Sequence, residues 1–87
     1  MINGKTKSGF KYSIDENVIT DFEFIENLEN VMENGVGLSK TLVILLGEKQ
    51  KKALINYVRD KKTKRVPIKD VMKEVEDILS NPKIKNL

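Results

Sequence analysis

The chain has 87 residues, 39% of them hydrophobic, and a net charge of +3, which suits one small domain spanning 1–87. It has no Cys, no His and no Trp, so disulfides, zinc sites built on thiolate or imidazole, and Ser-His or Cys-His nucleophilic centres are all excluded. An enzyme built from Asp, Glu and Lys remains possible. Their spacing builds no recognisable site, so the sequence reads as a non-enzymatic binding protein with no cofactor and no metal.

The opening residues alternate. Phe10, Tyr12 and Ile14 share one face, with Lys11 and Ser13 between them, which predicts a strand with one buried side. Ser8-Gly9 is a turn signal ahead of it. Asn3-Gly4 is a hairpin-turn dipeptide that would let Met1–Ile2 pair with a later residue. Thr20 as N-cap, with Glu23 three residues on, predicts a helix whose apolar positions are Phe24, Ile25, Leu28, Val31 and Met32. Asn34-Gly35 would end it, and Gly35-Val36-Gly37 forms a break without the Gly-Lys-Ser/Thr ending of a phosphate loop.

The run Leu42–Leu46 suits either a short helix or a buried strand. A helix from Ser39 as N-cap to a stop at Gly47 is preferred, and the β-branched Val43 and Ile44 keep the strand open. Glu48 to about Lys61 reads as a third helix with Ala53, Leu54, Tyr57 and Val58 on its apolar face. A basic connector follows, and then a helix opened by Pro67 with a stripe of Ile68, Val71, Met72, Val75, Ile78 and Leu79. Asn81-Pro82 would stop it. The termini, 1–7 and 81–87, are expected to be loose. The fold class is therefore α+β and mainly α: an N-terminal strand or hairpin followed by about four short amphipathic helices.

Charge is segregated along the chain. Ser13 to Ser39 contains no Lys or Arg and carries −7, leaving +10 on the remainder. Such a dipole favours head-to-tail packing of copies, so a homo-oligomer is one expectation. The basic side, from Lys49 through Lys51, Lys52, Arg59, Lys61, Lys62 and Lys64 to Arg65, raises a nucleic-acid or regulatory role. Against it, only two of the sixteen basic residues are Arg, the residue that makes the commonest bidentate base contacts. The acids of the first long helix follow helical spacing and not that of a calcium loop, so a solvated face is the simpler reading. The longest apolar run, Leu42–Leu46, is five residues against the ~20 needed to span a bilayer. No apolar targeting core precedes it, so the expectation is a cytoplasmic protein with no membrane partner.

Phe22 and Phe24 lie about 200° apart on an ideal helix and cannot both face one core; an exposed aromatic is a typical interface anchor. Together with Val36, Ile44 and Ile55, they are the candidate partner-binding residues.

Four stretches carry a family resemblance: Ser8-Gly9-Phe10-x-Tyr12-x-Ile14-Asp15-Glu16, Asp21-x-Glu23-x-x-Glu26-x-Leu28, Leu45-Leu46-Gly47-Glu48-x-Gln50-x-x-Ala53-Leu54, and Arg65-Val66-Pro67-Ile68. In this order they resemble small proteins from the tail-gene region of long-tailed phages and prophages of low-GC Gram-positive bacteria, several of which are regarded as tail assembly chaperones. The resemblance implies a helical protein that binds the tape-measure protein in the bacterial host cell and holds it while the tail tube polymerises. It transfers no contact residues. A structural subunit retained in the virion is the remaining alternative.

Overall fold

The computed structural model describes residues 1–86. Two strands, β1 (Ile2–Lys5) and β2 (Lys11–Ile14), form an antiparallel hairpin. Five helices follow: α1 (Glu16–Ile19), α2 (Phe22–Asn34), α3 (Leu38–Val58), α4 (Ile68–Leu79) and α5 (Pro82–Lys85). α3 is the hub of the packing, touching β2, α1, α2 and α4. No helix among the described residues is long and apolar enough to cross a membrane.

The alternation read from the sequence produces the hairpin. Phe10, Tyr12 and Ile14 are all buried, and Ile2 joins them opposite Ile14. The turn, however, is not at Asn3-Gly4, which lies inside β1. It is closed by Thr6 and Gly9: Thr6 N donates to Phe10 O at 2.9 Å, Gly9 N donates to Thr6 O at 3.0 Å, and Gly9 adopts φ 108°, a conformation that glycine takes without strain. Gly4 serves a different purpose. It pairs with Tyr12, and a Cβ there would overlap the Tyr12 ring.

Thr20 is not the N-cap of the first long helix. Asp15 caps a separate one-turn helix, α1, through Asn17 N at 2.9 Å, and Thr20 closes that turn with its hydroxyl on Glu16 O at 3.3 Å. Asp21 then caps α2 through Glu23 N at 3.4 Å. The capping aspartates, each accepting from the residue two positions on, set the helix starts. α2 ends at Gly35, in the left-handed conformation at φ 69°, as the sequence predicts.

The Leu42–Leu46 run is helical. Its helix begins at Leu38 after Gly37 (φ 82°), so Ser39 sits in the first turn and is not the cap. Gly47 does not end α3 but interrupts it, with φ 80° and ψ 163°, and helix resumes directly after it. The two halves fold back on each other. Lys51 Nζ donates to Ser39 Oγ at 2.6 Å, although twelve residues of straight helix would hold them about 18 Å apart. The corner is braced by Gln50, whose side-chain amide reaches three backbone groups. Its Oε1 accepts from Ser13 N at 2.7 Å, and its Nε2 donates to Ser13 O at 2.7 Å and to Leu46 O at 2.8 Å. Gln50 thus satisfies a carbonyl beside the break and pairs with β2 as a further strand would.

α4 starts at Ile68 with Pro67 at its cap, one residue from the expected position. Asn81-Pro82 stops α4 and also starts α5: Asn81 Oδ1 accepts from Lys83 N at 2.9 Å, and Ile84 is buried. The ends expected to be loose, 1–7 and 81–87, therefore carry β1 and α5; Leu87 lies outside the described residues. Asn81 Nδ2 also donates to Tyr12 Oη at 2.8 Å, tying the C-terminal turn to the hairpin.

The core draws on every layer: Ile2, Phe10, Tyr12 and Ile14 from the hairpin, Phe24 from α2, Leu42, Leu45, Leu46 and Leu54 from α3, and Val71, Val75 and Ile78 from α4. This matches the α+β, mainly helical class read from the sequence.

Candidate protein-docking surface

Two apolar surfaces are left uncovered by this packing. The first is on α2. Phe24 and Val31 face the core, whereas Phe22 (74% exposed), Ile25 (38%) and Met32 (59%) do not. At 100° per residue those three fall within about 80° of one another, on a side of the helix distinct from the buried stripe. Glu26, Glu29 and Glu33 share that side of the helix, so the stripe is bordered by exposed carboxylates.

The second surface is a groove of about 380 Å³ where the two halves of α3 meet α4. Leu38 and Leu42 come from the first half, Ile55 from the second, Val66 from the connector, and Ile68 and Val71 from α4. The break at Gly47 creates the groove, because a straight helix would carry Leu42 and Ile55 about 20 Å apart. Its charged lining residue is Lys51, held against Ser39. Ile68, at the start of α4, lines the groove and is 71% exposed, so it extends the apolar surface of the groove to solvent.

The other polar clusters are occupied by internal structure. Glu74 of α4 is buried, and its Oε1 accepts from Thr6 Oγ1 at 2.9 Å and Ser8 Oγ at 2.8 Å. Lys7 N donates to Asp77 Oδ2 at 2.6 Å, and Tyr57 Oη donates to Ser8 O. These bonds fasten the hairpin turn to α3 and α4. Among the described residues no group of three or more Asp or Glu is placed to hold a metal ion. The basic connector is a folded turn: Asp60 Oδ1 accepts from Lys62 N at 2.7 Å and Thr63 N at 3.0 Å, and Arg59 Nη1 donates to Lys64 O at 2.7 Å. The backbone N–H groups of Thr63 and Lys62 hold the Asp60 carboxyl below its usual range.

The residues singled out from the sequence are not gathered in one place. Ile55 lines the groove. Phe22 is exposed on the α2 stripe and Val36 is exposed in the α2–α3 link, at 65%. Ile44 is partly buried and packs against the core. Phe24 is corrected: at 1% exposure it is a core residue and offers no surface. Ile25, Met32 and Ile68 share helical spacing with the buried residues of their helices and are nevertheless exposed.

No protein-family model matches the chain, and no curated protein or solved structure matches it significantly.

Proposed function

We propose that this protein is a non-enzymatic binding module that holds an amphipathic helical segment of a protein partner in the groove between α3 and α4. The observation that carries this reading is the groove itself. It is lined by aliphatic side chains from three segments, left open to solvent, and edged by the exposed Ile68. An amphipathic helix laying its apolar face into such a groove is a common recognition mode. The partner that the family resemblance implies is the tape-measure protein, a long helical client that aggregates until the tail tube forms around it. In this reading the protein is a tail assembly chaperone acting in the host cytoplasm.

The nucleic-acid alternative has less support. Its two guanidinium-bearing residues are Arg59 and Arg65, and Arg59 is already engaged with the Lys64 carbonyl.

Coexpression with the tape-measure protein tests the proposal. The client is expected to stay soluble with the wild-type chain and to aggregate with Ile68→Asp, a substitution at an exposed site that leaves the fold intact. A client equally soluble with and without this chain would refute the reading.

A further inference from the structure

The α2 stripe and the α3–α4 groove are complementary to each other. We infer that the free protein self-associates, the α2 stripe of one copy seating in the groove of another. The inference rests on the reading of the groove as a docking surface.

Charge selects a second copy as the occupant. The stripe of Phe22, Ile25 and Met32 lies in the segment that carries −7, beside exposed glutamates. Six of the eight residues lining the groove, from Leu42 to Val71, belong to the remainder, which carries +10. Lys51 is the charged residue of the lining, and the exposed Lys40, Lys52, Arg65 and Lys69 lie within two positions of other lining residues. An acidic amphipathic helix is thus matched by a basic-rimmed apolar groove on the same polypeptide. Stripe on stripe would oppose glutamates and groove on groove would oppose lysines, so the pairing is stripe to groove. A stripe-to-groove contact closes when it is reciprocal between two copies and propagates from copy to copy when it is not. Three side chains on one helix face cover only a small area, which makes the contact weak and reversible. A client helix entering the groove would displace the neighbouring copy, so assembly and client binding compete.

Sedimentation velocity from roughly 10 µM to 1 mM tests this, the range in which weak contacts populate. The variants are Phe22→Asp/Met32→Asp, which removes the stripe, and Ile68→Asp, which spoils the groove; all three side chains are exposed, and circular dichroism verifies folding. The average mass of the wild type should rise with concentration and fall back roughly threefold to tenfold in association constant when salt is raised from low to high. Each variant alone should remain monomeric. Mixed, they should form a 1:1 complex, because one supplies an intact groove and the other an intact stripe. A wild type that stays monomeric throughout overturns the inference. So does association of either variant alone, or a mixture that does not pair. Client capture by the stripe variant, whose groove is intact, is read separately: if capture persists while pairing fails, the self-association falls and the chaperone reading stands.

Discussion

Replacing Gly47 with alanine is expected to destabilise the protein and to remove the groove, although the new methyl group would touch nothing. A Cβ at this position has no neighbour within 4 Å, so the effect is purely torsional. With φ 80° and ψ 163°, Gly47 occupies a backbone region essentially reserved for glycine. Holding an alanine there costs about 1–3 kcal/mol. A second term acts in the same direction: alanine favours continuous helix over glycine by about 1 kcal/mol, so the substitution promotes the straight α3 that the fold avoids. Straightening would separate Ser39 from Lys51 and draw Leu42 away from Ile55, opening the groove and pulling α3 leucines off the core. The loss of stability is about 1–3 kcal/mol, a large part of the roughly 4–13 kcal/mol expected for a domain of this length. Urea unfolding followed by circular dichroism measures it, with client capture as the functional readout. If Gly47→Ala matches the wild type within about 0.5 kcal/mol and binds client normally, the corner is not what forms the groove.

The two phenylalanines of α2 should separate stability from binding. Phe24→Ala, at a fully buried site, is expected to cost about 3–5 kcal/mol, whereas Phe22→Ala should change unfolding stability by less than about 0.5 kcal/mol while weakening self-association. Gln50→Ala should cost about 1–3 kcal/mol by leaving Ser13 and Leu46 backbone groups without partners, and the Ser13 amide should lose hydrogen-exchange protection. For Asp60 the folded-state pKa lies below the unfolded one. Its contribution is therefore fully present above the unfolded carboxylate value near ~4 and is lost as pH falls through the folded pKa. The Lys62 and Thr63 amide resonances, followed from pH 6 to pH 2, should move only at the acid end of that range; a midpoint at or above the ordinary carboxylate value would contradict the turn geometry.

Periodicity made the hairpin, the long helices and most of the core legible. The period-two pattern of Phe10, Tyr12 and Ile14 and the stripe of Val71, Val75 and Ile78 each name residues that are buried. What the pattern misjudged was punctuation. Gly47 and Asn81-Pro82 read as stops, yet each joins two helical segments, because whether a break ends a helix or turns it depends on the packing beyond it. Thr20 read as a cap because its spacing to Glu23 was right, but Asp21, one residue later, takes the role. The docking surface was legible only in part. Ile55 was identified, while Ile25, Met32 and Ile68 have core-like spacing and are exposed because no neighbouring element reaches them. Sequence spacing records which residues share a helix face and says nothing of whether that face is covered.

The most direct test of the central claim is a titration of isotope-labelled protein with a helical fragment of the tape-measure protein, followed residue by residue by nuclear magnetic resonance. Saturable shifts concentrated at Leu38, Leu42, Ile55, Val66, Ile68 and Val71, and absent in Ile68→Asp, are the expected result. Shifts confined to the Lys61–Arg65 turn, or none at all up to millimolar fragment, would contradict a groove-binding function.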